Sequence, residues 1–391
     1  MTDTLRIGLL AGEASGDALG AGLMAALRAR LGDVEFIGVG GVAMRAETMM
    51  CLHPAEALAI NGLAAPLRRA PELFGLLRRL HRELRAARID AFIGIDFNVF
   101  NLLLEKRLKG DGVPVVHYVS PSVYAWRRGR VHSVAAAADL LLTLFPFEPA
   151  FYARTGLRAV FVGHPLADAL TPVQSRQAIR TQIGIDPQAP LVLAVLPGSR
   201  REEVDLLADD LIAAAWRIAA PIAGAEVLVA TLDDAATTRI ETAARACGAR
   251  VRVIPRRSRE LLAAADLALV KSGTGTLEAM LLGTPMVVAY RLGPWSHRLL
   301  SLLVHTQRFA LPNILAGRDL VPEFIQDEVT PAALAAALLR VADTADEMRT
   351  AFRELGDELR RDASAGAADA VLELIAQRAG AAGIASEEGP A

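Results

Sequence analysis

The chain has 391 residues, a formal net charge of −2 and a sequence pI near 6.4. That length implies two domains with separate cores, and that charge excludes a general nucleic-acid binder. Cys51 and Cys247 stand far apart in no Cys/His cluster, which excludes a disulfide framework and a zinc site, and no apolar run approaches the ~20 residues of a membrane span.

Leu5–Ala11 reads as a buried strand, followed by the loop GEASGD (12–17) and an apolar-periodic helix to about Leu31. Glu13 and Asp17 interrupt the short apolar run and no basic segment precedes it, so no signal peptide is expected and a reduced, cytoplasmic setting is. A full GxGxxG is missing, and no acid closes the next strand, Val34–Val39, so nothing favours a dinucleotide. Further strands are expected at Ala91–Ile95, 113–119, 140–144 and 159–162, with helices between most of them. GHP (163–165) and Thr171-Pro172 then interrupt regular structure, which puts a boundary inside 163–175. The rhythm restarts with strands at 191–196, 226–230, 250–254, 267–270 and Met286–Tyr290. Residues 331–376 read as mostly helical, and the last dozen as disordered. The expected architecture is α/β, with two doubly wound Rossmann-like domains facing a central cleft. Their bounds are 1–165 and 166–345, with a helical segment and disordered tail over 346–391.

The stretch LVKSGTGTLEAMLLGTP (269–285) runs from a strand through a tight turn into a helix. Unpaired first amides and the positive helix end make such a place an anion site. Gly273 and Gly275 admit a phosphate close to the backbone, and the hydroxyls of Ser272, Thr274 and Thr276 are candidate donors. Glu278, one turn later, is placed to accept from a sugar's vicinal hydroxyls; a capped helix with an acidic first turn reads equally well. No GK[ST] closes the loop, so a diphosphate ester is expected and not a hydrolysed triphosphate. In LPGSR (196–200), Arg200 is suited to neutralise a diphosphate leaving group, or simply caps a turn. Asp96, in GID (94–96), stands at a strand end where a general base reaches a cleft, and where a helix N-cap is also common. HYVSPSVYAWRR (117–128) carries aromatic faces and arginines that suit sugar, acyl or phosphate packing, or a core anchor.

Taken together, AGEASGD, GVGG, HYVSPSVYAWR, FPFE, GHPLAD, LPGSR, KSGTGTLE, PMVVAY and LPNILAGRDLVPE occur in one order along residues 5–339. In that order they resemble the lipid-A-disaccharide synthase family. The resemblance implies a GT-B glycosyltransferase of Gram-negative bacteria working at the inner face of the inner membrane. It would move 2,3-diacylglucosamine from UDP to the 6-hydroxyl of 2,3-diacylglucosamine 1-phosphate, with inversion. Carried over by motif, Asp96 is the base and Arg200 faces the UDP phosphates. Glu278 meets the ribose and Asn313 of LPN lines the cleft. Glu13, Ser15 and Ser199 complete the substrate contacts, with 1–165 as the acceptor side and 166–345 as the UDP-sugar side. Four positions depart from the pattern. Asn98 and Val99 replace a Pro and a second Asp, Val42 replaces a Pro, and Tyr124 replaces a Trp, which leaves Asp96 as the acid of its segment.

No cofactor is expected, and no acid cluster suggests a metal. The partners expected are the two acylated sugars and an anionic membrane surface met peripherally; a homodimer is compatible with the sequence. An epimerase or a peptidoglycan-type transferase of the same architecture, and a non-catalytic nucleotide-sugar binder, remain the alternatives. For membrane contact the candidate is 71–88, where Leu73, Leu76, Leu77, Leu80 and Leu84 recur at helical spacing beside five arginines. Such a helix docks on an anionic bilayer or packs its leucines on the sheet.

Overall fold

The computed structural model describes residues 4–54, 70–96, 98–121, 129–170, 174–293 and 308–387. It divides into unit 1, Met1–Pro165 with Leu359–Ala391, and unit 2, Leu166–Glu358.

Unit 1 holds a parallel sheet of β1 (Leu5–Ala11), β2 (Val34–Val39), β3 (Met50–Cys51), β4 (Ala91–Ile95), β5 (Val115–Tyr118), β6 (Leu140–Thr143) and β7 (Arg158–Phe161), in the order β3-β2-β1-β4-β5-β6-β7. The inner strands are mostly apolar because helices cover both faces. On one face Ile7, Leu9 and Ile93 pack with Leu23 and Leu27 of helix Ala14–Leu31 and with Val371 of helix Ala363–Glu387. On the other, Leu10 and Phe92 pack with Leu77, Leu80 and Leu84 of helix Ala70–Ala86 and with Leu104 of helix Asn98–Gly110.

The C-terminal segment expected over 346–391 is therefore shared. Residues through Glu358 belong to unit 2, and the last helix returns to unit 1. There Asp369 takes the Arg30 guanidinium, and Arg378 reaches Asp139 at 2.8 Å. The tail expected to be disordered is helical as far as Glu387.

Unit 2 holds β8 (Val192–Leu196), β9 (Glu226–Thr231), β10 (Arg252–Pro255), β11 (Leu267–Lys271), β12 (Met286–Tyr290) and β13 (Glu323–Ile325), in the order β10-β9-β8-β11-β12-β13, again all parallel. In both sheets the chain order reverses once, between β1 and β4 and between β8 and β11. Loops leaving adjacent strands in opposite directions open a crevice at such a point, which is where doubly wound sheets bind ligands. The loops GEASGD, GID, LPGSR and SGTGT singled out from the sequence leave these four strands, whereas HYVSPSVYAWRR leaves β5.

Candidate functional site

In unit 2 the loops after β8 and β11 leave neighbouring strands and bound a cavity of about 490 Å³. Its lining includes Ser199, Arg200, Ser272, Gly273, Thr274, Gly275 and Glu278, singled out from the sequence, together with Glu203, Arg256, Ser258 and Lys271. Helix Arg201–Ala219 begins directly after Arg200, and helix Thr274–Leu281 directly after Gly273. Two helix N-termini thus share one wall. The amides of Thr274 and Gly275, in the first turn, have no acceptor within their own helix, which makes this end attractive to an anion. Gly273 turns the chain at φ +147°, a conformation that L side chains rarely adopt.

The remaining polar groups sort into two sets. Arg200 is exposed at the rim and has no ion-pair partner among the described residues, so its guanidinium is available to an anion. Glu278 gives one carboxylate oxygen to Arg259 Nε at 2.9 Å, which orients the group on the cavity wall. Two expected hydroxyl donors are committed elsewhere. Ser272 Oγ donates to the Phe309 carbonyl at 3.0 Å, and fully buried Thr276 donates to the Gly273 carbonyl at 2.7 Å. Thr276 does not line the cavity: its hydroxyl closes the first helical turn. Thr274 is exposed and lines the cavity.

Asn313 is likewise corrected. It is buried, and its amide is saturated: Nδ2 donates to the Val321 carbonyl and to Glu323, and Oδ1 accepts the amides of Leu320 and Val321. Glu323 in turn accepts the amides of Phe309 and Ala310. Since Ser272 bonds to Phe309, this chain of contacts steadies the β11 loop from behind. Asn313 does not line this cavity; it holds the backbone of the loop that does.

Sequence reasoning missed Glu203 and Lys271. Glu203 Oε2 accepts the amides of Ser199 at 3.1 Å and Arg200 at 3.3 Å, and Oε1 accepts from Lys271 Nζ at 2.7 Å. Gly198 takes φ +125°, and a Cβ there would sit 2.7 Å from the Glu203 side chain, so glycine is required for the clamp to close. Burial works to raise the Glu203 pKa, but the Lys271 hydrogen bond and charge and the two amides outweigh it, holding the carboxyl below its usual range. The available signal was its position: an acid at the third helical residue after a turn is the second half of a capping box.

In unit 1 the β1 and β4 loops adjoin in the same way, with Ala11 paired to Ile95. Glu13 and Ser15 are exposed at the start of helix Ala14–Leu31. Asp96 follows β4 with φ +50°, a strained conformation that Asp tolerates better than most residues. It is held by backbone: its amide donates to the Tyr118 carbonyl at 2.8 Å, and buried Asn101 donates to the carbonyls of Leu10, Ile95 and Asp96. Val99, standing where the family pattern has a second acid, is exposed. Asp17 of the first motif is no ligand candidate, because its carboxylate accepts the amides of Gly41, Ala43 and Met44 and fixes the GVGG loop. The aromatic and basic residues Tyr124, Trp126, Arg127 and Arg128 lie outside the described residues.

Residues 7–371 match the family model described as lipid-A-disaccharide synthetase. The chain is 47% identical over 382 residues to a lipid-A-disaccharide synthase of Azotobacter vinelandii, and 46% identical over 379 residues to one of Pseudomonas aeruginosa. Each alignment covers 97% of this chain and 100% of the relative. Among solved structures, the glycotransferase of kitacinnamycin aligns with a TM-score of 0.62 at 15% identity, over 95% of this chain and 99% of that one. A UDP-GlcNAc 2-epimerase from Neisseria meningitidis, bound to UDP-GlcNAc, aligns with a TM-score of 0.61 at 10% identity, over 96% and 99%. These two likenesses share the GT-B plan and say nothing more. Near-complete coverage at close to half identity does say more: the chain belongs to the lipid-A-disaccharide synthase family.

Proposed function

We infer that this chain is a glycosyltransferase that moves 2,3-diacylglucosamine from its UDP conjugate to the 6-hydroxyl of 2,3-diacylglucosamine 1-phosphate, releasing UDP. The observation that carries the reading is the family match across residues 7–371. The two-helix cavity after β8 and β11 supports it, because its chemistry suits a diphosphate. Incubating the protein with both diacylated substrates tests it, and formation of a disaccharide together with UDP is the expected result. UDP binding without a disaccharide would leave only a nucleotide-sugar binder, and conversion of the donor without acceptor would indicate an epimerase.

In the division of labour we favour, unit 1 takes the acceptor and unit 2 the UDP-sugar. Asp96 removes the proton from the 6-hydroxyl as that oxygen attacks the anomeric carbon from the face opposite UDP. One carboxylate suffices, because UDP is already a good leaving group; the transition state is oxocarbenium-like, as in glycosidases. Charge developing on the diphosphate is met by the Arg200 guanidinium and by the amides of Thr274 and Gly275. Glu278, oriented by Arg259, accepts from the ribose. Glu13 and Ser15 flank Asp96 on the acceptor side.

Both substrates carry acyl chains, so contact with an anionic membrane surface is part of this reading. No helix among the described residues is long and apolar enough to cross a membrane. The leucines of helix Ala70–Ala86 belong to the core, since Leu77, Leu80 and Leu84 are fully buried. Peripheral docking therefore rests on half-exposed Phe74 and on the outward Arg78 and Arg82. Each basic charge near such a surface adds about 1 kcal/mol. Binding to anionic vesicles should weaken with salt and in the Arg78→Glu/Arg82→Glu variant. A double variant that binds vesicles like its parent would end this part of the reading.

A further inference from the structure

The Glu203 clamp poses an electrostatic problem. A carboxylate on the wall of a diphosphate cavity repels the ligand it helps to house, yet the β8 loop depends on that carboxylate for two backbone hydrogen bonds. Its side chain is only 15% exposed, so water screens it little. Lys271 resolves the conflict. Its ammonium is 2.7 Å from Glu203 Oε1 and 17% exposed, and it lies 5.6 Å from the centre of the Tyr290 ring. It also lies 3.8 Å from where a Cβ on Gly273 would stand, directly under the anion loop. The pair thus joins the two loops of the cavity: Glu203 fixes the backbone that carries Arg200, and Lys271 cancels the charge of the fixing group.

We propose that Glu203 is a positioning residue for Arg200 and that Lys271 is its counter-charge, so that the pair sets how strongly the site accepts phosphate charge. This rests on the UDP-sugar reading and deepens it. Neither residue is given a bond to the substrate. The consequence is specific: losing Lys271 should hurt a ligand in proportion to its phosphates, and only while Glu203 is ionised.

The test is calorimetric titration of the full chain with uridine, UMP and UDP. K271M should weaken UDP by about tenfold or more, the scale of one charge-assisted contact, UMP less, and uridine by under about twofold. K271R should keep most of the UDP affinity. K271M/E203Q, which removes both charges and keeps an acceptor for the loop, should recover most of what K271M loses. E203A should lower kcat by about tenfold or more while uridine binding holds, because Arg200 loses its anchor and the nucleoside does not. If K271M is insoluble, K271Q and K271Q/E203Q carry the same comparison. Loss of uridine equal to loss of UDP would reduce the pair to ordinary packing and overturn the inference. So would a double variant that binds UDP no better than K271M. Failure of the parent to bind UDP would overturn the UDP-sugar reading and the inference with it, whereas parent and K271M binding UDP equally overturns the inference alone.

Discussion

In unit 1 the Glu148 carboxylate accepts the amides of Leu144 at 3.1 Å and Phe145 at 3.0 Å, just as in unit 2 Glu203 accepts those of Ser199 and Arg200. Each acid stands a few residues past a strand, β6 or β8, and ties the loop back to the helix that follows. Their charge states diverge. Burial pushes the Glu148 pKa up to about 8, against the pull of the two amides, and no ion-pair partner faces it among the described residues. Glu203 has Lys271 and is held below the usual range. Hydrogen-bond geometry alone therefore does not fix the ionisation of a clamping acid; the neighbouring cation does. The unit expected to hold a diphosphate keeps its clamp ionised and its charge cancelled, while the other leaves its clamp in an apolar setting.

At the level of chemistry, the proposed division of labour predicts that Asp96 in unit 1 acts on turnover alone, whereas residues of unit 2 act on nucleotide binding or on the departure of the diphosphate. The largest effect expected is for Asp96→Asn: turnover should fall by roughly 10²- to 10⁴-fold, with UDP affinity little changed. Near-normal turnover in the folded variant would remove the base from Asp96 and make Glu13, on the adjacent loop, the next residue to test. Within unit 2, Arg200→Ala should lower kcat by roughly 10²-fold, since diphosphate charge peaks as the bond breaks. Glu278→Ala should instead weaken UDP by about tenfold through loss of the ribose acceptor. Steady-state kinetics and UDP titration on the two variants separate these roles; equal small effects on both quantities would leave Glu278 as a partner for Arg259 and nothing else.

A smaller effect separates the loops that touch ligand from the residues behind them. Asn313→Ala strands the buried amides of Leu320 and Val321 and one bond to Glu323, which should cost about 1–3 kcal/mol of stability. UDP affinity should fall only as far as the Ser272 loop loosens. Thermal unfolding and titration on one preparation check this; unchanged stability would return Asn313 to the list of ligand contacts.

What was readable in the sequence follows from how far each contact reaches along the chain. The central strands were legible because a strand covered on both faces must be apolar throughout, and β1, β2, β4 and β12 fall where those runs lie. β3 and β13, of two and three residues, are too short to show a period. The anion loop was legible because glycine and hydroxyl residues between strand and helix have a local cause. The commitments of individual side chains were not. Thr276 reads as a ligand donor until its hydroxyl is seen on Gly273, and Asn313 reads as cleft lining until all its hydrogen bonds are accounted for. Lys271 meets Glu203 across 68 residues, a pairing no local pattern contains. The return of helix Ala363–Glu387 to unit 1 is likewise a tertiary fact: its apolar residues suit a cover for either sheet.

The last effect expected depends on pH and bears directly on the two clamps. With a carboxyl near pKa 4.5 when unfolded and near 8 when folded, Glu148 keeps its proton in the native state over a range where the unfolded chain has lost it. A raised pKa of this kind contributes stability that is fully present below pH 4.5 and is lost as pH rises toward 8, by at most about 1.4 kcal/mol per pH unit. Glu148→Gln keeps a carbonyl to accept from the Leu144 and Phe145 amides and removes the titration. The variant should therefore melt close to the parent near pH 5 and a few degrees above it near pH 8, the gap widening steadily between. Glu203→Gln should show no such widening over the same interval, because its carboxyl is already ionised throughout. Parallel melting profiles for Glu148→Gln and its parent would mean that a cation or water reaches Glu148 in solution, and the contrast between the two clamps would then vanish.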